Sequence, residues 1–329
     1  MKSFFKYSLL IIVLLLTSCG RVTEQETRKA LSEHLKTRYN EEFNIGLIGR
    51  RSDDRDTWYQ AKIYPKKYEG TIREYDEYYH RNGTVDIKKG IFGESIDYVG
   101  DTYRIVLMNE SANKFYLPKL KELFGENVLP VLDINIAELS IYPEFLTEMK
   151  ERMKAGGHPQ IKGGIYIFGR VESDKDREWY RKQIYEFVQF MKETGTFEYV
   201  SLWLVVADER VLSDEFVNNT EDKEKLLRLH NENEAKFRKQ RAEIMKKYSK
   251  SYNETPIENI RERIGNILKS DLYDTSGNAI GLARMTYYNE LLVTPLYSEK
   301  YIKSQSLEDN YRLKDYDKVE DIEFTEEFY

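Results

Sequence analysis

Only one cysteine occurs in this chain of 329 residues, and it stands at position 19, at the end of an apolar amino-terminal segment. The body that follows Cys19 therefore cannot contain a disulfide, a thiolate metal site or a cysteine nucleophile. Its stability must come from the burial of apolar surface, and apolar residues make up 40% of the sequence, enough for an ordinary core. A chain of this length forms one large domain or two modest ones.

The amino-terminal segment has the features of a secretory signal. Lys2 and Lys6 give it a basic start, residues 9–16 are all Leu, Ile or Val, and two small residues precede Cys19. The apolar stretch of roughly 15 residues is shorter than the ~20 residues of a membrane-spanning helix. The pattern predicts that residues 1–18 are a signal peptide that is removed from the mature protein.

The junction between this segment and the body is more specific. Leu16 and two small residues lead into Cys19, and this order resembles the lipobox of bacterial lipoproteins. The resemblance covers residues 1–20. It implies cleavage before Cys19, a diacylglycerol on the Cys19 thiol and a fatty acyl chain, such as palmitate, on the new amino group. The alternative is an ordinary secretory signal followed by an incidental cysteine.

The resemblance also implies a location. A protein of this class is lipid-anchored in the cell envelope, on the outward side of a bacterial membrane. Gly20 follows the lipid-bearing residue, where an aspartate would favour retention at the inner membrane, so the resemblance implies an outer membrane in a cell that has one.

The link between Cys19 and the body is predicted to be short. Thr23 and Glu26 have the spacing of a capping box, which predicts a helix that begins at Glu24. Residues 19–23 are then the whole lipid tether, and the residues between lipid and cap span about 10 Å when extended. We therefore expect the folded body to lie close to the bilayer.

The charge of the chain limits its partners. The formal net charge is −6, and loss of Lys2 and Lys6 with the signal peptide makes the mature protein more acidic. An acidic surface is unsuited to the phosphate backbone of a nucleic acid. The partners that we expect are the membrane, through the lipid, and an envelope protein, in an oligomeric state that the sequence leaves open.

Apolar periodicity divides the body into four regions and predicts a mixed α/β or α+β fold. A helix-covered sheet of alternating strands and helices is preceded by a helix with extended, hairpin-like segments and followed by a long helix and a mixed region. The predicted regions are 24–110 (helix plus strands), 111–210 (α/β core), 211–252 (long helix) and 253–329 (mixed, with a frayed tail).

Within region 24–110, the first helix is expected to run to about Asn40. Extended segments with polar turns follow. They include a possible strand over 72–79, a hairpin turn at Asn82 and Gly83, and a strand over 102–108 in which apolar side chains alternate.

Within region 111–210, helices and strands alternate with short connections, which is typical of helix-covered sheets. The later strands are almost continuously apolar, as expected when both faces of a sheet are covered. The predicted helices are 112–124, 143–155 and 174–194, and the predicted strands are 128–136, 161–171 and 197–207.

Acidic residues follow the predicted strands of this core. If the strands are parallel neighbours, their carboxyl ends meet at one edge of the sheet, where ligands of open α/β sheets bind. Crowded carboxylates bind a hard cation or raise one another's pKa for acid/base chemistry, whereas the alternative role is helix capping. The residues of this predicted acidic rim are Glu172, Asp174, Asp208 and Glu209, with Glu138 after the first strand.

Other catalytic patterns are weak. The four histidines are scattered, and the segment from Gly93 to Asp97 begins like a nucleophile elbow but has Asp97 where the second glycine belongs. The sequence therefore designates no catalytic residue, no metal ligand and no cofactor apart from the covalent lipid on Cys19.

Three functions are compatible with these features. The first is a membrane-anchored binding, scaffold or assembly-accessory module. The second is an envelope hydrolase that uses paired carboxylates of the acidic rim. The third, capture of a soluble ligand for a transporter, fits poorly with a short tether and with the irregular region 44–109. The sequence favours the first and leans away from an enzyme.

Overall fold

The computed structural model describes residues 20–91, 93–136, 143–222, 224–225, 228, 240, 243–248, 287–293, 296–307 and 315–325. Cys19 and the signal segment lie outside these residues. The chain divides into two compact units, Met1–Val106 and Leu107–Tyr329. Both units combine helices with a sheet, so the predicted α+β class is confirmed.

Between residues 20 and 101, the described part of the first unit contains one α-helix and one antiparallel sheet. Its helix ends at Asn40, which adopts the left-handed conformation common at helix carboxyl termini. The elements are α1 (Glu24–Tyr39), β1 (Phe43–Ile45), β2 (Gly49–Ser52), β3 (Thr57–Pro65), β4 (Arg81–Gly90) and β5 (Gly93–Asp101).

The sheet has the order β1-β3-β4-β5, and β2 pairs with the same edge of β3 as β1. Ile45 lies opposite Ile63 and Gly49 opposite Gln60, so three residues, 46–48, face two residues of β3. This arrangement is a β-bulge, in which the extra residue leaves the ladder. Leu47 lies in the bulge, and 96% of its surface is exposed.

One face of this sheet is covered by α1. The side chains of β3 alternate, with Tyr59, Ala61 and Ile63 buried on the helix-facing side. Leu31 and Leu35 of α1 are fully buried. Burial of alternate strand residues under a helical stripe is the expected way to form a core in a chain without disulfides.

The carboxyl end of α1 is fixed by Asp101, the last residue of β5. The Asp101 carboxylate is buried and accepts hydrogen bonds from Tyr39 Oη at 2.6 Å and from the Tyr103 amide at 2.8 Å. His34 Nε2 lies 2.9 Å from the same carboxylate. Burial and the bond to Asp101 raise the pKa of Tyr39, so its hydroxyl remains a donor at neutral pH.

Two predictions within residues 72–83 are wrong. Residues 72–79 form 3₁₀ turns, Ile72–Tyr75 and Glu77–Tyr79, rather than a strand. Asn82 and Gly83 lie inside β4, where Gly83 pairs with Ala61. Gly83 is required by packing, because a Cβ there would lie 2.7 Å from Leu31 Cδ2.

The predicted strand over 102–108 is also wrong, because α2 (Arg104–Phe124) begins there. Within this helix the side chains of Met108, Ala112, Tyr116 and Leu120 are fully buried, at intervals of four residues that follow the turns of a helix. A short apolar run is compatible with the periodicity of a strand and with that of a helix, and packing favours the helix here. The division between the two units falls inside α2 rather than at residue 110.

The second unit contains a mixed sheet. Its described elements, after α2, are β6 (Val128–Asn135), α3 (Phe145–Lys154), β7 (Gln160–Gly169), α4 (Asp174–Glu193), β8 (Val200–Asp208), α5 (Asp214–Val217), β9 (Tyr287–Val293), β10 (Leu296–Tyr297), α6 (Glu299–Ser304) and β11 (Phe324–Thr325).

The order of this sheet is β11-β9-β8-β7-β6, and β10 also pairs with β8. Strands β7 and β8 are parallel and are joined by α4, as a parallel pair requires a crossover. Strand β6 runs antiparallel to β7, and β9 runs antiparallel to β8. The carboxyl ends of β7 and β8 therefore lie at the same end of the sheet, whereas the carboxyl end of β6 lies at the opposite end.

The helices of this unit pack through aromatic side chains. Tyr116 of α2 is fully buried, with its ring centroid 5.4 Å from that of Phe145 and 5.6 Å from that of Phe187. Such ring pairs add to the stabilisation from buried area. The predicted apolar stripe of α4 is confirmed, because the following residues are all buried: Tyr180, Ile184, Phe187, Val188 and Met191.

The single long helix predicted for 211–252 is wrong. Lys247 Nζ lies 2.9 Å from Asp222 Oδ1, and Tyr248 Oη donates to Asp222 Oδ2 at 2.6 Å. A continuous straight helix would separate residues 222 and 247 by about 37 Å. Residues 222 and 247 therefore do not belong to one straight helix, and the buried Asp222 carboxylate binds the segment that contains Lys247 and Tyr248.

Part of the predicted mixed region 253–329 is described, and it packs on α4. Gln189 Nε2 donates to the Tyr316 carbonyl at 3.0 Å, and Lys192 Nζ lies 2.7 Å from Asp317 Oδ1. Strand β11 then pairs with β9. Residues 249–286 and 326–329 lie outside the described residues.

The contact between Gly83 and Leu31 can be tested by substitution. Gly83→Ala is expected to lower the free energy of unfolding by about 1–3 kcal/mol, because the new methyl group overlaps Leu31. Gly49→Ala is the matched control, since its nearest neighbours lie 3.9 Å from the added Cβ. Its effect should stay within about 0.5 kcal/mol. Urea unfolding measures both changes, and equal values for the two variants would contradict the packing argument.

Candidate membrane-attachment site

The first described residues form a docked segment, which we define as residues 20–23. Gly20 forms a parallel bridge with Gly93, and its carbonyl accepts a hydrogen bond of 3.0 Å from the Glu94 amide. The chain that leaves Cys19 therefore lies along the start of β5. Residues 19–23 were predicted as a short lipid tether, and the described part of that tether is bound to the sheet.

Val22 holds the middle of the docked segment. Its side chain is buried, with 7% of its surface exposed. Its amide donates to Glu94 Oε2 at 3.2 Å, and its carbonyl accepts a hydrogen bond of 2.6 Å from Tyr59 Oη. Both backbone groups of Val22 are thus bound to side chains of the sheet.

An ion pair supports these contacts. Arg50 of β2 donates two hydrogen bonds to the Glu94 carboxylate, at 3.0 and 2.6 Å, and a third to Tyr59 Oη at 3.1 Å. Its guanidinium carbon also lies 5.3 Å from the centre of the Tyr59 ring. The side chains of Arg50 and Glu94 are only 23% and 11% exposed, so bulk water screens this bidentate pair less than an open surface pair.

The electrostatic consequence is a stable negative charge on Glu94. Hydrogen bonds from Arg50 hold the pKa of the Glu94 carboxyl below its ordinary value, and the amide of Val22 adds to this effect. The same contact raises the pKa of Arg50. Both groups are therefore charged at neutral pH, and the Glu94 carboxylate binds the docked segment and Arg50 together.

The docked segment ends in the predicted capping box, which is confirmed. The Glu26 amide donates to Thr23 Oγ1 at 3.2 Å, and the Thr23 amide donates to Glu26 Oε2 at 2.9 Å. Helix α1 begins at Glu24, as predicted. The path from Gly20 into the body is therefore fixed by hydrogen bonds at each end.

Sequence reasoning found the cap but missed Arg50, Tyr59 and Glu94. These residues lie on three different strands, and each is far in sequence from the segment that it holds. No local motif marks such a set. Glu94 belongs to the segment Gly93–Asp97, which begins like a nucleophile elbow. That local pattern does not indicate the ion pair with Arg50.

The predicted acidic rim is only partly assembled. Gly169 and Asp208 are partners in the parallel ladder, so Asp208 and Glu209 lie at the carboxyl edge that β7 and β8 share. Glu138 lies outside the described residues. Because β6 is antiparallel to β7, its carboxyl end belongs to the opposite edge, and the assumption of three parallel strands is wrong.

The rim carboxylates have basic partners. Arg210 Nε lies 2.9 Å from Asp208 Oδ1, and the Arg210 amide donates to the same oxygen at 3.0 Å. Glu209 Oε1 lies 2.8 Å from Arg170 Nε. Asp208 therefore caps the 3₁₀ turn Glu209–Leu212. Capping is the alternative role that the sequence analysis gave for the acidic rim residues.

The other two rim residues follow β7. Glu172 is exposed, and its amide donates to Asp176 Oδ2 at 3.0 Å. Asp174 is also exposed, is the first residue of α4 and forms an ion pair of 3.2 Å with Arg177. Within the described ranges, no group of three or more His, Cys, Asp or Glu residues has the arrangement of a metal site.

A comparison with protein-family models, with curated proteins and with solved structures finds no match to this chain. In the part of the chain that the structure describes, no helix has the length and hydropathy needed to cross a membrane.

The role of Glu94 can be tested by hydrogen exchange. Glu94→Gln removes the charge that binds Arg50 and Val22, so the Val22 amide should exchange at least about fivefold faster. Glu33→Gln, at an exposed position of α1, is the matched control and should leave that amide unchanged. Equal rates in the two variants, measured by mass spectrometry of peptides, would show that Glu94 does not hold the segment.

The same measurement has a defined pH dependence. The folded pKa of Glu94 is lowered, so its stabilising contribution is fully present above the ordinary value of 4.5 and is lost as the pH falls through the lowered folded value. After correction for intrinsic exchange, protection of Val22 should persist down to about pH 4.5 and fall below it. The Glu94→Gln variant should lack this transition, and a transition well above pH 4.5 would contradict the assignment.

Proposed function

We propose that this chain is a lipid-anchored protein of the bacterial cell envelope that acts as a binding, scaffold or assembly-accessory module. The observation that carries the proposal is the docked segment. A lipid on Cys19 would be joined to Gly20, which is hydrogen-bonded to β5. The anchor and the first unit would therefore move together, with almost no free chain between them.

This attachment restricts what the protein can reach. A long flexible tether would let a body sample a large volume, whereas a docked tether keeps the body close to the bilayer. The first unit is then suited to contact something that is itself at the membrane. That behaviour fits a scaffold or assembly partner better than a protein that captures a dilute soluble ligand.

Exposed aromatic side chains support a binding role. Tyr98 of β5 is 58% exposed, and in the second unit Trp179 and Trp203 are 44% and 37% exposed. Aromatic side chains are enriched at protein interfaces because they provide large contact areas and polar atoms together. The proposal therefore includes an envelope protein as a partner.

The hydrolase alternative is not part of the proposal. Asp208 lies against Arg210 and Glu209 lies against Arg170. These contacts support a structural role for the two residues.

The anchor is tested by Cys19→Ala. The wild-type protein should incorporate a clickable palmitate analogue and stay with membranes after carbonate washing, because acyl chains contribute about 0.8 kcal/mol per buried methylene. Cys19→Ala should lose both properties. Ser18→Ala keeps a small residue before Cys19 and is the control that should remain labelled. An unlabelled wild-type protein, or a Cys19→Ala variant that stays with washed membranes, would overturn the anchor.

The binding role is tested by cross-linking in the native envelope. The lipidated protein is purified after cross-linking and compared with an unrelated soluble domain that carries residues 1–23 of this chain. We expect at least one envelope protein to be recovered reproducibly with the full protein and not with the fusion. If both samples yield the same proteins, the body contributes no binding and the proposed role is wrong.

A further inference from the structure

The connection between β4 and β5 carries an exposed apolar side chain. Gly90 pairs with Gly93, so residues 91–92 alone join the two strands. Ile91 is 93% exposed. Two-residue hairpin turns favour Gly, Asn and Asp, and an aliphatic side chain here neither helps the turn nor enters the core. The geometry of the hairpin therefore does not explain Ile91.

This turn lies beside the attachment site. Gly20 is bridged to Gly93, and paired backbones are about 5 Å apart. Ile91 precedes Gly93 by two residues, so their Cα atoms are at most about 7 Å apart. Ile91 is thus within roughly 12 Å of the residue that follows Cys19.

Three exposed basic residues belong to the segments that meet near this position. Lys88 and Lys89 are exposed at the end of β4, and Arg21 is exposed in the docked segment. The nearby carboxylate of Glu94 is bound by Arg50. An apolar tip with lysines behind it is suited to the membrane interface, where the apolar group enters the acyl boundary and the amines remain among the headgroups.

We propose that the β4–β5 turn is a second, non-covalent membrane contact. In this arrangement Ile91 enters the boundary between headgroups and acyl chains beside the lipid of Cys19, and Lys88, Lys89 and Arg21 contact anionic headgroups. The inference rests on the proposed lipidation of Cys19. Two adjacent points of contact fix the direction of β4 and β5 relative to the membrane, which a single lipid cannot do.

The chain offers a matched control. Leu47 is as exposed as Ile91 but lies in the bulge beside β3, at the opposite edge of the sheet from β5. Residues 61–62 of β3 face the bulge that contains Leu47, and they pair with Gly83 and Asn82 of β4. Leu47 is therefore offset from Ile91 by roughly 25 Å along the strands. A general tendency of exposed aliphatic residues to touch lipid would affect both positions, whereas the proposed contact affects only one.

The experiment uses the cysteine content of the chain. In the lipidated protein the thiol of Cys19 is blocked, so Ile91→Cys and Leu47→Cys each supply one free thiol for an environment-sensitive fluorophore. Intact mass first verifies that each sample is lipidated. The labelled proteins are reconstituted into vesicles of phosphatidylethanolamine and phosphatidylglycerol at a ratio of about 3:1, with or without doxyl-labelled lipid, to place the probe at the interface.

We expect blue-shifted emission at position 91, with quenching by doxyl lipid at least about twofold stronger than at position 47. Lys88→Glu with Lys89→Glu should weaken that quenching, because the anionic headgroups would then repel the turn. Circular dichroism of each variant verifies the fold.

Aqueous emission at position 91, or equal quenching at both positions, would overturn the membrane contact. A blue shift that doxyl lipids do not quench would place the turn against protein and would overturn it as well. Quenching that is insensitive to the two lysine substitutions would overturn the headgroup contact. A mass without lipid would instead overturn the proposed anchor, and the present inference with it.

Discussion

The ion pair between Arg50 and Glu94 connects the docked segment to the fold. Arg50 reaches from β2, Glu94 lies on β5, and the backbone of Val22 is bound to Glu94 and Tyr59. Without this pair, the docked segment would lose the hydrogen bond between the Val22 amide and the Glu94 carboxylate, and it would keep the bridge to Gly93, the bond from Tyr59 Oη and the Thr23 cap. The proposed function depends on it, because a short tether restricts the body only when the tether itself is fixed.

Elsewhere the fold uses buried carboxylates to join segments that are distant in sequence. Asp101 fixes the end of α1, and Asp222 joins two segments that are 25 residues apart. A buried carboxylate is stable only when its oxygens are satisfied, and each of these accepts a tyrosine hydroxyl together with other donors. Each site is therefore specific in geometry, although it adds less stability than a covalent bridge.

Local patterns predicted local structure well in this chain. Thr23 and Glu26 determine the start of α1 by direct contact, and the stripe from Tyr180 to Met191 follows one helical face. Where packing between distant segments decides, the sequence was a poor guide. Gly83 resembles a turn residue but provides room for Leu31, and residues 102–108 alternate like a strand yet begin α2. The site itself depends on Arg50, Tyr59 and Glu94, whose proximity arises only from strand register.

The sheet of the second unit has a consequence for the order of folding. Its central strand β8 is paired with β7 on one side and with β9 on the other, and β9 pairs in turn with β11. Strand β6 begins at residue 128, whereas β11 lies at 324–325, so this sheet joins segments almost two hundred residues apart. The first unit closes within its own first 106 residues. The first unit can therefore fold as soon as its own residues are available, whereas the second must wait, with an open edge, for its last strand.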